Sequence, residues 1–287
     1  MTRPLRPAAV AGTWYPASSG ALAREVDRYV AAAGESTEGA IQAVVAPHAG
    51  IMFSGPVGAC AYKAAARYAY DVAVLVGPSH FAAFDGVALY PEGAFASPFG
   101  PIAVDAAAGA AIAAAGDVIR AQPSVHAREH SLEMQLPFLG RLFVGLPIVP
   151  LLMGRQSRRT IEALASALAV GLGSRRALLV ASTDLSHYCD RATAEKLDGE
   201  ACDAIAAFDP ERLLEVFERY PEDERGRYVG CGIGPAIAVM MAARALGARA
   251  SRVLRYAHSG EVSGDDDCVV GYVAATIGTF DVEFNVE

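Results

Sequence analysis

Three short apolar runs each empty into a loop that carries a histidine, and this repetition constrains the fold more than any other feature of the chain. "AVVAPHAG" ends a buried strand at Val44 and Val45, then turns through Pro47 to His48. "DVAVLVGPSHF" carries the run 72–76 into Gly77, Pro78, Ser79 and His80. "ALLVASTDLSHY" carries the run 178–180 into Asp184 and His187. Short apolar strands alternating with helical patterns indicate an α/β fold with a sheet covered on both faces. In such sheets ligands bind outside the carboxyl ends of the strands. Three separate segments are therefore expected to deliver imidazoles to one crevice.

The rest of the chain supports this alternation. Ser18 or Ser19 caps a helix whose stripe is Leu22, Val26, Tyr29 and Val30, ended by Gly34. A polar loop at 31–39 precedes strand 41–46. The patterns then predict helix 56–68, strand 72–76, an Ala-rich helix 105–115 and a helix 129–143 kinked by Pro137. A strand in "LPIVPLLMG" leads to helix 157–172 and strand 176–181. Helices 192–206, 210–219 and 235–246 precede two last strands, 252–257 and 268–277. Gly and Pro punctuate 84–105, which predicts inserted hairpin strands. The expectation is a single α/β domain over 1–287, a central mixed β-sheet flanked by helices on both faces.

Composition excludes several classes. With 53% hydrophobic and 20% charged residues over 287 positions, the chain is globular. Its net charge of −8 argues against nucleic acid as a partner, and "RQSRR" (155–159) is a solvated helix start. No apolar run reaches the roughly 18 residues of a membrane span, and Pro and Gly break the first 30 residues, so no signal peptide is expected. The five cysteines include no CxxC pair, which fits free thiols in the cytosol. Dinucleotide, P-loop and nucleophile-elbow motifs are absent from the sequence.

The residues that can carry chemistry are few. His48 and His80 occupy matching contexts, beside Pro and among small residues that leave room for a ligand. Cys231, in "GCGIGPAIAVMMAARALG", lies just before a helix start, which favours a thiolate. Together they would form a His₂Cys site with open positions, suited to Fe(II), Cu or Zn rather than Mg or Ca. His187 can act as general acid or base, with Asp184 either beside it in catalysis or serving as a helix cap. In "HAREHSLEMQLPFL", which also contains His126, His130 and Glu133 share a helix face and are read as hydrogen-bonding residues around the pocket, with simple structural use as the alternative. Cys60, Cys202 and Cys268 are expected in the core, and Cys189 is open. His258 lies in a loop before an acidic turn, 265–267.

"VAGTWYP", "APHAG", "GPSH", "EHSLEMQLPFL", "STDLSHY" and "CGIGP" occur in this order over nearly the whole chain. The series resembles the Memo family, whose bacterial and archaeal members are called AmmeMemoRadiSam system protein B. The resemblance implies a fold similar to class III extradiol dioxygenases, which hold Fe(II) with two His and one carboxylate. It implies that His48 and His80 bind metal, and that Cys231 stands where those dioxygenases have an acidic ligand. It makes His187 the pocket histidine and Trp14 an aromatic lining residue; Trp14, joined with His130 and Glu133 from the reading of the residues, forms the expected substrate-binding set. Redox or dioxygenase-like chemistry with iron follows, with Cu or Zn as alternatives. The competing readings are a non-catalytic peptide- or protein-binding module and a zinc hydrolase. The system name implies a radical SAM enzyme and an AMMECR-type protein as partners.

Overall fold

A computed structural model describes residues 4–34 and 39–280, so positions 35–38 of the polar loop expected at 31–39 lie outside the described residues. In the first half the chain forms β1 (Leu5–Arg6), α1 (Ser19–Ala32), β2 (Gly39–Ala46), α2 (Ile51–Ala65), β3 (Val72–Pro78), β4 (Val87–Leu89), β5 (Ala94–Phe95), β6 (Ile102–Ala103), α3 (Ala106–Ala114) and β7 (Ile119–Ala121). Then come α4 (Leu136–Leu142), β8 (Ile148–Met153), α5 (Arg158–Leu172), β9 (Ala177–Ser182), β10 (His187–Cys189), α6 (Arg191–Ala206) and α7 (Pro210–Glu218). The last elements are α8 (Arg225–Tyr228), α9 (Ile233–Ala245), β11 (Ala250–His258), α10 (Gly260–Ser263) and β12 (Val269–Phe280).

Four parallel strands make the centre of the main sheet, in the order β2-β9-β3-β8. Antiparallel strands extend it on both sides: β12 against β2, and β4 against β8. β10 and β11 both pair with β12, and β7 runs parallel to β4 at the far edge. The sheet is thus mixed, as the sequence predicted.

β3 is buried along its whole length because both faces of the sheet are covered. Val72, Val74, Val76, Leu179 and Ala181 face one core, shared with α3, α5, α7 and α9. Ala73, Leu75, Leu178 and Val180 face the other, shared with α1, α2 and α4. Ser157 caps α5 through the Thr160 N–H, so "RQSRR" does open a helix.

Three predicted elements change. The helix expected at 56–68 starts earlier, at Ile51, and carries Pro56 inside it. The helix expected at 129–143 is a 3-10 turn, Glu133–Gln135, followed by α4, because Pro137 fits the first turn of a helix better than its middle. Within 84–105 only β5 and β6 form a hairpin, with β1 alongside β5, while β4 joins the main sheet. Cys268 also departs from expectation. It is exposed, because β12 begins one residue later and leaves it in the acidic turn.

Candidate metal centre

The strand ends place the site. β2 runs out through Pro47 to His48, β3 ends at Pro78 two residues before His80, and β9 ends at Ser182 two residues before Asp184. Cys231 arrives from a fourth segment, in the turn before α9. That turn is fixed at two points. Gln156 donates from Nε2 to the Cys231 carbonyl at 2.6 Å and accepts the Gly234 N–H at 2.8 Å. Thr183 Oγ1 accepts the Gly232 N–H at 3.0 Å. Gly232 is required here, since a Cβ would lie 2.2 Å from the Ser182 carbonyl oxygen.

His48 Nε2 and Cys231 Sγ are 3.1 Å apart. One ligand atom from each of His48, His80 and Cys231 lies within 4.8 Å of the others. Metal bonds of about 2.0–2.1 Å to nitrogen and 2.3 Å to sulfur, at angles of about 90–110°, separate N and S by about 3.1–3.6 Å. The donor set and this spacing fit a transition metal. All three residues also line the cleft.

Each histidine is held through its other nitrogen or its backbone. His48 is almost fully buried, donates its N–H to Asp184 Oδ1 at 2.7 Å, and has Nδ1 2.9 Å from Ser182 Oγ. Glu129 Oε1 accepts from His80 Nδ1 at 2.9 Å, and Oε2 accepts the His80 N–H at 2.6 Å. The backbone N–H groups of His130 and Ser131 also donate to Glu129, each at 2.9 Å. Burial pushes the Glu129 carboxyl up, but the bonds from His80 and Ser131 outweigh it and hold the group at about 2. The sequence reading missed Glu129. It singled out His130 and Glu133 on the assumption of one helix face, and the segment is not helical before Glu133.

Glu133 is placed elsewhere. It is fully buried and ion-paired with Arg6 at 2.6 Å, and it accepts from Tyr15 Oη and from the N–H groups of Ala9 and Val10. It therefore fastens the N-terminal segment that carries Trp14 and does not line the cleft. His130 does line it, 4.4 Å from the Trp14 ring and stacked on His80 at 4.5 Å between ring centroids. Burial and the neighbouring His80 lower His130 to about 4. Burial, with His80, His130 and His187 nearby, drives His48 well below its ordinary value.

The cleft, about 440 Å³, is lined by Trp14, His130, Asp184, His187, Tyr188 and Arg227 beside the three candidate ligands. Tyr188 adopts a left-handed backbone, φ 61°, rare for a bulky residue, and is exposed at the cleft. A second cleft of about 520 Å³ shares His80, Gly226 and Cys231 as a wall and carries Arg155 and Arg225. His187 Nδ1 is buried without a hydrogen-bond partner. Asp184 caps no helix. Burial raises its carboxyl, although His187 and the N–H groups of His48 and Ala49 work against this.

Cys231 corrects one expectation. It was read as a helix-start thiolate. Burial and the adjacent Asp184 instead push the thiol well above its ordinary value. The helix start is outweighed by the protein packed around the sulfur and by the negative charge of Asp184. His126 sits apart from the site, with Nε2 3.1 Å from the Ala88 carbonyl and its ring against Tyr90 and Phe95. His258 ends β11, with Nδ1 buried and unpartnered.

Fold and site together define an α/β protein with a thiol–imidazole cluster at the carboxyl edge of its central parallel strands. The model of the Memo-like protein family matches residues 6–276. A MEMO1 family protein of Methanopyrus kandleri is 36% identical over 282 residues, covering 94% of this chain and 97% of the relative. That of Methanococcoides burtonii is 36% identical over 276 residues, covering 95% and 100%. That of Nitrosopumilus maritimus is 32% identical over 277 residues, covering 94% and 98%. The chain belongs to the Memo family.

Proposed function

We infer that this protein is a metal-dependent oxidoreductase with dioxygenase-like chemistry on a small organic substrate, and that His48, His80 and Cys231 hold the metal. The observation that carries this reading is the convergence of two imidazoles and one thiol from three distant segments on one point. The set is borderline-soft, which suits iron, copper or zinc over magnesium or calcium, and the family resemblance favours iron among the three. Held by these three residues, iron or copper would supply redox chemistry, whereas zinc would act only as a Lewis acid.

The protein's own groups do the rest. Trp14 and Tyr188 give the cleft aromatic walls that hold a planar substrate and limit water. His187 moves a proton at the cleft wall, where its buried Nδ1 is uncommitted. Asp184 positions His48 through the backbone and lies in the same wall. Glu129 holds the His80 ring. No helix among the described residues is long and apolar enough to cross a membrane. The reading places the protein in the cytosol, without nucleic acid, beside a radical SAM enzyme and an AMMECR-type protein.

Metal analysis of anaerobically purified protein tests this, followed by calorimetric titration of Fe(II) into wild type, His48→Ala and Cys231→Ala. Tight binding in wild type, lost in both variants with the fold kept, is the expected result. Unchanged affinity in both variants overturns the site. Zinc as the sole native metal would favour a hydrolase, and no metal at all a peptide- or protein-binding module using the same pocket.

A further inference from the structure

We propose that Ser182 is a positioning residue that fixes His48 in the tautomer with hydrogen on Nδ1, leaving the Nε2 lone pair at the metal site. The proposal rests on the metal reading above for its purpose, but its content concerns the metal-free protein. It follows from counting hydrogens in a buried chain of polar groups. Gln135 has Oε1 2.8 Å from Tyr62 Oη, and Nε2 3.2 Å from the Pro47 carbonyl and 2.8 Å from Ser182 Oγ. The opposite amide orientation would set oxygen against the Pro47 carbonyl oxygen, so Nε2 must face Pro47 and Ser182.

Ser182 Oγ therefore accepts from Gln135. It also lies 2.7 Å from the Ser131 carbonyl oxygen, which can only accept. The single hydroxyl hydrogen belongs there, because two oxygens at that distance with no hydrogen between them repel. Toward His48 Nδ1, at 2.9 Å, the hydroxyl has only a lone pair left. Nδ1 must then carry the hydrogen, and Nε2, 3.1 Å from Cys231 Sγ, is the bare nitrogen. Ser182, Ser131 and Tyr62 are fully buried and Gln135 and His48 nearly so, which keeps water from exchanging these roles. Glu129 does the same for His80 with a carboxylate, which accepts and never donates when ionised. The two imidazoles thus present the same nitrogen by two different devices, one charged and one neutral.

The test is imidazole nitrogen NMR on metal-free protein labelled with 15N-histidine. His48 is expected to show a protonated Nδ1 and a bare Nε2. In Ser182→Ala both tautomers should appear, and Fe(II) affinity should fall about ten- to a hundredfold, the usual loss when a ligand's outer hydrogen bond is removed. Ser182→Thr, which keeps the hydroxyl, should restore both. A wild-type His48 with hydrogen on Nε2 overturns the proposal, and this measurement needs no variant. So does a Ser182→Ala protein that keeps the Nδ1–H form alone. Failure of wild-type protein to bind metal would instead sink the metal reading and leave the tautomer result standing.

Discussion

Glu129 receives four N–H bonds on two oxygens, and two of them come from His80. Glu129→Gln keeps the shape but replaces one acceptor oxygen with a donor, which must oppose an N–H. Fe(II) affinity is expected to drop about ten- to a hundredfold, read by calorimetry, with the circular dichroism spectrum preserved. Cys231 adds a proton to the balance. Its thiol is neutral in the metal-free protein, and coordination requires the thiolate, so metal uptake releases that proton. Affinity should rise about tenfold per pH unit around neutrality, and titration in buffers of different ionisation heat should count one proton released. An affinity flat with pH would mean that sulfur is not a ligand.

Single elements bring the remaining parts to the site. The N-terminal segment is fastened by Arg6, which pairs with Glu133 and also donates to the carbonyls of His126 and Glu129. Arg6→Ala would leave the Glu133 carboxylate buried without its cation, a loss of about 3–5 kcal/mol. Trp14 is the one tryptophan of the sequence, so its emission reports this segment alone. The variant should show a red-shifted emission and a lower urea midpoint, and an unshifted spectrum would mean that the segment stays docked without its ion pair. The turn before α9 is a second such device. Gly232→Ala must move the turn off the Ser182 carbonyl and should weaken both stability and Fe(II) affinity, measured by thermal unfolding and titration.

Across the whole molecule the buried histidines set the acid limit. His126 and His130 lie at about 4 against an ordinary 6.5, and His48 lies well below its ordinary value, in each case chiefly through burial. A histidine whose folded pKa is depressed binds its proton more readily in the unfolded chain. Its contribution to stability is complete above about 6.5 and is lost as pH falls toward the folded value. Metal-free protein should therefore lose stability as pH falls from 6.5 to 4, by up to about 1.4 kcal/mol per unit for each ring, offset in part by the buried Asp184 and Asp198 carboxyls, which are raised and take up protons in the fold. Urea midpoints across that range check this, and a flat profile to pH 5 would mean that the three rings are already charged in the fold. Bound metal should flatten the His48 share by excluding its proton.

The sequence by itself determined the layers and picked out three residues that meet at the cleft. Apolar runs such as 72–76 are buried on both sides, so their composition alone specifies a covered sheet, and the loops that follow must lie at its carboxyl edge. His48 and His80 were legible for that reason, and Cys231 from the Gly-rich turn before a helix. What surrounds them was decided only by tertiary structure. Glu129 and Ser182 reach their histidines across 49 and 134 residues, a distance no local pattern encodes. Glu133 was misplaced because the shared-face argument needs a helix, and packing of α4 with Pro137 in its first turn delayed that helix beyond it. The upward push on the Cys231 thiol likewise comes from burial and from Asp184, which reaches it from another segment, rather than from its place in the chain. Sequence periodicity reports which face of an element is apolar, whereas hydrogen-bond partners and pKa depend on which elements meet.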